Sequence, residues 1–387
     1  MVDLCVKNMD TVHNSLAQMN TEQRKGFTTG SCASAAAKAA VYMLLSGRDK
    51  EEIAIETPAG IRYQTAILEI EKGEEYVSCA VRKYSGDDPD VTNGMLIYAG
   101  AKCLQDGNAR VLIQGGTGVG TVTRPGLDQP VGNAAINSVP RKMIEKEVRE
   151  VMDIFDCRDS IEITISAPEG VEIAAKTFNP RLGIEGGISI IGTTGIVEPM
   201  STKAILDTIY VELRQQKEEG RKSAVISPGN YGRQFLFDQY GYDLDLAVKC
   251  ANYIGDTTDM VRSLGFRKML FAGHAGKLVK VAGGIMNTHS KEADCRMEII
   301  ASAAIRHGAS KESLSRILDC LNTREAYEIL KKEGIEKECF SDLAKRVQYY
   351  LNKRAQGEVD VECMIYMAEY GLLGMTEGAE EILKEGN

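Results

Sequence analysis

Tryptophan is absent from this 387-residue chain, and only four histidines are present. No apolar run reaches the roughly 18–20 residues that a membrane-spanning helix needs, so we expect no membrane-spanning segment. Met1–Asn20 has no basic segment followed by an apolar one, so we expect no secretion signal. The 46 basic and 55 acidic side chains leave a net charge of −9, which disfavours general binding to nucleic acid or to an anionic membrane.

The ten cysteines are scattered, and no two of them form a CxxC pair. In a chain of this length, such scatter indicates reduced thiols in the cytoplasm and argues against a disulfide framework. The few histidines form no HExxH motif. The sequence therefore predicts that the protein itself holds no metal.

The chain length predicts two domains, and a composition of 43% hydrophobic and 26% charged residues is typical of globular proteins. The predicted fold is mixed α and β. It begins with an α+β domain over residues 24–195. An α/β domain with a parallel, Rossmann-like sheet follows over residues 196–290, and a helical C-terminal segment without strands over 291–387.

Local patterns predict individual elements of these domains. In the first domain, Val91–Leu104 is predicted as a helix, and Val171–Lys176 as a strand paired with Ile161–Ser166. In the second domain, strands that run into glycine-containing loops are predicted at Ser223–Ser227, Leu246–Cys250 and Lys268–Ala272.

A glycine-bracketed hydroxyl segment, Gly26–Cys32, precedes an alanine-rich helix. Thr28 and Thr29 are residue types that cap helices, and the first turn of a helix carries N–H groups that attract anions. The segment therefore predicts either an anion site or an ordinary capped helix.

A second glycine segment, Gly115–Gly120, follows a predicted strand. It resembles a phosphate-binding loop, but Thr121 stands where that loop needs lysine, and the glycine spacing misses the dinucleotide pattern. We reject both nucleotide motifs. The segment is then either backbone that approaches a ligand closely or a mobile surface loop.

The loops Pro228–Gly232, Asn252–Asp256 and Gly273–Lys277 follow the three strands of the second domain. Parallel sheets with helices on both faces bind ligands at this carboxyl edge. His274 lies there between two small residues, so it could act as a base or bond to a ligand. The alternative is a structural histidine bonded to backbone.

Together and in this order, the glycine-rich blocks resemble those of the CbiD family. The matching blocks are Gly26–Ala40, Gly115–Leu127, Asn137–Arg141, Phe178–Ser201, Pro228–Gly232, Asn252–Asp256, Gly273–Lys280 and Asn287–Glu298. The resemblance implies an enzyme that transfers a methyl group from S-adenosylmethionine to ring carbon C1 of cobalt-precorrin-5B. The product would be cobalt-precorrin-6A, in anaerobic cobalamin biosynthesis. The cobalt would belong to the substrate.

Given that reaction, sheet topology and local charge predict where the two ligands bind. The corrinoid carries many carboxylates, so loop cations and hydroxyls are expected around it. The expected substrate residues are Thr28, Thr29, Arg124, Arg141, Arg181, Thr193 and Thr194. The expected S-adenosylmethionine residues are Gly229, Asn230, Gly232, Asn252, Asp256, Gly273, Gly276 and Lys277. His274 is the catalytic candidate, and Gly115–Gly120 is the alternative S-adenosylmethionine site.

Two other functions compete with this interpretation. One is a non-catalytic corrinoid-binding protein of the same pathway, which would not bind S-adenosylmethionine. The other is a nucleotide-dependent kinase or oxidoreductase, which the missing phosphate-loop lysine disfavours. The sequence leaves open whether the chain forms a homo-oligomer.

Overall fold

The structure, a computed structural model, describes residues 24–177, 179–199 and 201–386. The Met1–Asn20 segment, Phe178, Met200 and Asn387 lie outside the described residues. The chain divides into two compact units, Met1–Ser201 and Thr202–Asn387, here called unit 1 and unit 2. Among the described residues, no helix is both long enough and apolar enough to cross a membrane.

Unit 1 combines three described helices with one larger sheet and several two-stranded pairs. The helices are α1 (Thr29–Ser46), α2 (Ser138–Ile154) and α3 (Gly170–Ala174). The strands are β1 (Gly26–Phe27), β2 (Glu52–Glu56), β3 (Arg62–Ala66), β4 (Leu68–Lys72), β5 (Tyr76–Arg82), β6 (Leu96–Cys103), β7 (Val111–Gly115), β8 (Gly118–Val119), β9 (Thr121–Val122), β10 (Ile161–Ser166), β11 (Ile184–Glu185), β12 (Gly187–Ile188) and β13 (Ile196–Val197).

The larger sheet of unit 1 has the strand order β4-β5-β6-β10-β7. Its neighbours are antiparallel except β10 and β7, which are parallel. The alanine-rich helix α1 packs on β5 and β6 and against α2. Ala33, Ala36 and Ala40 are fully buried there. Because alanine side chains are short, the helix backbone can lie close to the sheet.

Two element predictions in unit 1 are wrong. Leu96–Cys103 is strand β6 and not part of a helix, since Ile97, Ala99 and Ala101 alternate onto the buried face with the period of a strand. The predicted strand after Ser166 is instead helix α3, in which Gly170 and Ala174 are the buried residues. Their spacing of four is helical.

Unit 2 is built from a five-stranded sheet and nine described α-helices. The strands are β14 (Ser223–Ser227), β15 (Ala247–Lys249), β16 (Lys268–His274), β17 (Asp360–Met367) and β18 (Gly371–Met375). The helices are α4 (Thr202–Glu218), α5 (Asn230–Tyr240), α6 (Ile254–Ser263), α7 (Ala275–Ala282), α8 (Arg296–Arg306), α9 (Lys311–Leu318), α10 (Thr323–Glu333), α11 (Glu336–Arg354) and α12 (Ala379–Gly386).

The unit 2 sheet has the order β15-β14-β16-β17-β18, with four parallel strands and β18 antiparallel at one edge. Both faces of the sheet are covered. Ile226 and Phe271 point into a core shared with α4, α6, α7 and α11, whereas Val225 and Leu270 point toward α5 and α12. Strands buried on both faces are apolar throughout, as in other parallel sheets.

The prediction of a C-terminal segment without strands is wrong. Strands β17 and β18 lie inside it and complete the unit 2 sheet. Val361, Cys363 and Met364 are buried in β17, on both faces of the sheet. A strand of this kind has no alternation, so periodicity alone does not separate it from a buried helix.

Candidate functional site

The carboxyl ends of β14 and β16 lie side by side in unit 2, and the chain leaves them toward opposite faces of the sheet. Helix α5 follows β14 and packs on one face, while helix α7 follows β16 and packs on the other. Divergence of this kind opens a crevice at the sheet edge, which is where open α/β folds bind ligands. The loops predicted to hold S-adenosylmethionine are those that follow these strands and β15.

Lys277, in the first turn of α7, connects three of these loops. Its Nζ donates to the carbonyl oxygen of Pro228 at 2.8 Å and to that of Ala251 at 3.2 Å. These carbonyls follow β14 and β15, while Lys277 itself follows β16. Burial lowers the pKa of the Lys277 ammonium, and the neighbouring Lys249 adds to that effect.

Lys280 has a similar structural role one turn further along α7. Its buried Nζ donates to the carbonyl oxygens of Thr288 at 3.3 Å and Ala293 at 2.8 Å. The Thr288 amide in turn donates to the Asn252 carbonyl oxygen. Asn252 is thus held in backbone pairing with the segment that Lys280 anchors.

The glycines at this edge divide into packed and open positions. A Cβ at Gly232 would lie 2.0 Å from Ser227 Oγ, and one at Gly273 would lie 2.9 Å from Leu278 Cγ. A Cβ at Gly276 would come 3.3 Å from His274 Nδ1. At Gly229, by contrast, no described atom lies within 4 Å of the Cβ position. Gly229, at the start of α5, therefore borders open space, and the other three glycines allow the loops to pack closely.

His274 caps helix α7. Its Nδ1 accepts a hydrogen bond from the Gly276 amide at 3.1 Å, and its ring lies edge-on to Tyr366 with ring centroids 5.7 Å apart. Because Nδ1 is an acceptor, the neutral ring carries its proton on Nε2. Burial lowers the pKa of His274 below its usual value of 6.5, so the neutral form predominates at neutral pH. This geometry favours a role for His274 as a hydrogen-bond donor through Nε2 over a role as a base.

Replacing His274 with asparagine should reduce the acid sensitivity of folding. Between the lowered pKa of the folded state and about 6.5, the unfolded chain binds more protons at this position, so stability falls as pH falls through that window. Asparagine can still cap the helix but does not titrate. Urea unfolding of parent and His274→Asn, measured at several pH values from about 7 to 5, should show a smaller loss in the variant.

The control for this experiment is His289→Asn. The His289 ring is exposed, and its Nδ1 accepts an equivalent bond from the Lys291 amide at 3.1 Å. Equal pH dependence of unfolding in the parent and in His274→Asn would show that His274 does not cause the acid sensitivity of folding.

Asp256 lies apart from the other predicted cofactor residues. It is exposed in the first turn of α6 and lines an open groove of about 720 Å³ with Asp259, Arg262 and Arg354. Arg354 and Asp259 form a bidentate ion pair there. The residues that line this groove include none from the loops 228–232 or 273–277.

In unit 1, the start of helix α1 is closed by the chain's own backbone. The Gly30 amide donates to the Ile191 carbonyl at 2.9 Å, and the Ser31 amide donates to Thr28 Oγ1 at 3.3 Å. Thr29 Oγ1 accepts from the Ile191 amide. Thr28 and Thr29 are buried, so these observations favour the capped helix over an anion site. Thr193 and Thr194 are exposed on the loop that covers this helix end.

The segment Gly115–Gly120 is packed against backbone. A Cβ at Gly118 would lie 1.7 Å from the Ala167 carbonyl oxygen, and one at Gly120 would lie 2.9 Å from the Gly187 carbonyl oxygen. A Cβ at Gly116 would meet Ser166 Oγ at 2.2 Å. These glycines admit neighbouring protein segments, which argues against a mobile loop and against the alternative S-adenosylmethionine site.

The three predicted substrate arginines are not equivalent. Arg141 donates to the carbonyl oxygens of Ile136 at 2.8 Å and Ile113 at 3.1 Å, so it holds two segments together. Burial lowers the pKa of Arg141. Arg124 is exposed, and its Nη1 reaches the Arg181 carbonyl oxygen at 3.5 Å. The structure therefore brings Arg124 and Arg181 together across the β9–β11 pair.

Among the described residues, no group of three or more histidine, cysteine, aspartate or glutamate side chains is placed to hold a metal ion. The prediction that the protein holds no metal itself is untested and stays a prediction. Burial raises the pKa of Cys32, at the start of α1, to about 11, so this thiol is protonated at neutral pH.

Sequence reasoning did not single out two residues of the sheet edge. Tyr231, in the first turn of α5, is 80% exposed, and Ser227 is fully buried with its Oγ donating to the Gly229 carbonyl oxygen at 2.9 Å. Tyr231 could have been noticed as an aromatic residue between two glycines directly after a strand. The role of Ser227 depends on tertiary packing and has no local signal.

The sheet order and edge loops of unit 2 are those of open α/β proteins, which bind ligands at such an edge. Comparison with known proteins identifies the family: the CbiD family model matches residues 16–199, and the model for the CbiD C-terminal domain matches residues 287–377. The chain belongs to the CbiD family, which confirms the resemblance found in the sequence.

Curated relatives match over nearly the full chain. One, from Ruminiclostridium cellulolyticum, is named cobalt-precorrin-5B C(1)-methyltransferase and is 44% identical over 365 residues, which cover 93% of this chain and 94% of the relative. Another of the same name, from Alkaliphilus metalliredigens, is 44% identical over 361 residues with the same coverage. A solved structure of the cobalamin biosynthesis protein CbiD from Archaeoglobus fulgidus is 27% identical, with a TM-score of 0.36. It covers 74% of this chain and 85% of that protein.

Proposed function

We propose that this chain is an enzyme that methylates ring carbon C1 of cobalt-precorrin-5B, giving cobalt-precorrin-6A in anaerobic cobalamin biosynthesis. The observation that carries the proposal is the near full-length match to relatives named for this reaction, at 44% identity over 93% of the chain. The methyl donor is S-adenosylmethionine. The cytoplasmic location expected from the scattered cysteines stays a prediction.

The donor binds at the carboxyl edge of the unit 2 sheet, whose parallel part we propose to be Rossmann-like. Two observations support this placement. Gly229 borders open space, so a ligand can approach the backbone there. The Lys277 ammonium lies near the start of α5, because it donates to the carbonyl oxygen of Pro228. A second hydrogen is donated to the carbonyl oxygen of Ala251, which leaves the third for a ligand.

A carboxylate suits this position because two positive features, the Lys277 ammonium and the N-terminal turn of α5, lie close together there. The ammonium of Lys277 supplies charge and a third donor, and the N-terminal turn of α5 has no side-chain cap. S-adenosylmethionine carries such a carboxylate on its amino-acid end. The residues present therefore fit the donor, with Asn230 and Gly232 in the same turn.

When bound, S-adenosylmethionine supplies a methyl group that its sulfonium already activates. The chain contributes binding, orientation and exclusion of water more than proton transfer. His274 serves as a hydrogen-bond donor through Nε2 at this edge, held in place by the Gly276 amide and the Tyr366 ring.

The corrinoid carboxylates bind to unit 1 near Arg124 and Arg181. Arginine forms paired hydrogen bonds with carboxylates. The exposed Arg124 packs against Gly183, where an added Cβ would lie only 2.5 Å from Arg124 Cγ. Thr193 and Thr194, on the loop over the start of α1, are further candidate contacts.

Replacing Arg124 with alanine should weaken corrinoid binding by about tenfold to a hundredfold, because each charge-assisted bond contributes about 1.5–3 kcal/mol. Arg141→Ala is the comparison, and it should mainly lower the free energy of unfolding, since Arg141 bonds to backbone. Calorimetric titration with the corrinoid and urea unfolding separate the two effects. Unchanged corrinoid affinity in Arg124→Ala would overturn this placement.

Ligand binding also separates the enzyme from a non-catalytic corrinoid carrier. We expect calorimetry to show binding of both S-adenosylhomocysteine and the corrinoid, because a methyltransferase must hold both. A protein that binds the corrinoid but not S-adenosylhomocysteine would be the carrier. Thermal stabilisation by ATP or NAD, without stabilisation by S-adenosylhomocysteine, would favour a nucleotide-dependent enzyme.

A further inference from the structure

The side chain of Tyr231 is 80% exposed, in a helix that buries Gly232, Phe235 and Leu236. It lies in the first turn of α5, two residues after Gly229 and directly before Gly232. Gly229 borders open space, whereas Gly232 is pressed against Ser227. The backbone next to Tyr231 is therefore held in place at Gly232, while the phenol ring is exposed near the carboxyl end of β14.

An exposed aromatic ring on a rigid support is well suited to stack on a flat ligand. Tyrosine loses little side-chain entropy when it is ordered, and stacking on a nucleobase contributes about 1–3 kcal/mol. Other exposed aromatic residues of unit 2 lie further from Gly229 in the sequence; Phe237, 51% exposed, lies in the second half of α5. Tyr349, for example, is 60% exposed in helix α11, with its ring against Tyr350.

We infer that Tyr231 is a binding residue that stacks on the adenine ring of S-adenosylmethionine, at the end of the ligand opposite the carboxylate held by Lys277. This inference rests on the proposed function, because it takes the donor to bind at the unit 2 sheet edge. Tyr231 and Lys277 then recognise separate parts of one molecule. Tyr231 contacts the base, and Lys277 the amino-acid end.

Because the chain contains no tryptophan, the fluorescence of a single introduced tryptophan would report on this site. In Tyr231→Trp the introduced indole is the only tryptophan of the chain and retains an aromatic face. We expect its fluorescence to change on titration with S-adenosylhomocysteine and to saturate with a Kd within about threefold of the calorimetric value for the parent. An emission that does not respond while calorimetry shows binding would overturn the inference.

Alanine and phenylalanine substitutions test the energetic contribution. Tyr231→Ala should weaken binding of S-adenosylhomocysteine and of 5′-methylthioadenosine by the same factor, about tenfold to a hundredfold, because both share the adenine. Tyr231→Phe, which keeps the ring, should bind within about twofold of the parent. Tyr349→Ala is the matched control for loss of an exposed tyrosine and should bind like the parent.

The outcomes distinguish this inference from the proposed function. If the parent binds S-adenosylhomocysteine and Tyr231→Ala binds it equally well, the stacking role is wrong and the donor assignment stands. If Tyr231→Ala loses only corrinoid affinity, the ring belongs to the substrate site, which also overturns the inference. If the parent binds no S-adenosylhomocysteine, both the donor assignment and the role of Tyr231 are wrong.

Discussion

Gly118→Ala should lower the free energy of unfolding by about 2–5 kcal/mol, because a backbone cost and an overpacking cost add. Gly118 has a φ of +75°, which costs a residue with a Cβ about 1–2 kcal/mol. In addition, the new Cβ would lie 1.7 Å from the Ala167 carbonyl oxygen, and overpacking of a fixed site costs about 1–3 kcal/mol or more. Urea unfolding followed by circular dichroism measures the change.

Gly132→Ala is the matched control for Gly118→Ala. Gly132 has a φ of +89°, but no described atom lies within 4 Å of its Cβ position. It should therefore show only the backbone cost, about 1–2 kcal/mol. Equal losses in the two variants would mean that the 115–120 segment is loose, which would contradict the close packing described above and reopen that segment as a ligand site.

Lys277→Met should reduce the affinity for S-adenosylhomocysteine by about tenfold to a hundredfold. The substitution removes the charge offered to the ligand carboxylate, and a hydrogen bond to a charged group contributes about 1.5–3 kcal/mol. It also removes the two bonds that connect the loops after β14 and β15. Binding of 5′-methylthioadenosine, which lacks the carboxylate, should weaken less.

Lys217→Met is the control for this substitution. Lys217 also donates to a backbone carbonyl, that of Gly265, but it lies in α4 and away from the edge loops. Its removal should leave the affinity for S-adenosylhomocysteine within about twofold. If Lys277→Met also binds like the parent, the donor carboxylate lies elsewhere.

The sequence predicted the strands and edge loops that form the candidate site more accurately than the elements elsewhere in the chain. Strand β14 covers the predicted residues Ser223–Ser227, and the strands near Leu246 and Lys268 are confirmed with small shifts at their ends. Strand–loop–helix alternation is a local pattern, so it locates these elements without knowledge of the tertiary structure. The edge loops follow from that alternation because parallel strands end at a common edge.

The elements that the sequence predicted wrongly depend on contacts distant along the chain. Strand β17 is recognisable only once β16 and β18 flank it, and β6 only once α1 covers its alternating face. The sequence leaves an anion site at the start of α1 open, whereas in the structure the 191–195 loop supplies the hydrogen bonds there. Likewise, the glycine count of Gly115–Gly120 does not show whether a ligand or the chain itself fills the space.

The roles of individual site residues also depend on contacts that the sequence alone does not show. Lys277 carries an obvious charge, but only the structure shows that two of its hydrogens bind carbonyls of other loops. His274 was correctly placed at a strand end, and its Nδ1 bond to Gly276 changes its expected role from base to donor. Asp256 follows the correct strand but lines a different groove.

An isotope experiment tests whether this protein transfers a methyl group from S-adenosylmethionine to ring carbon C1. Purified protein is incubated without oxygen with authentic cobalt-precorrin-5B and S-adenosylmethionine that carries a ¹³C-labelled methyl group. We expect a corrinoid product heavier by one labelled methyl group, which ¹³C NMR places at C1, with one S-adenosylhomocysteine released per product. A corrinoid recovered without label, or labelled at another ring carbon, would show that the protein does not catalyse this methyl transfer.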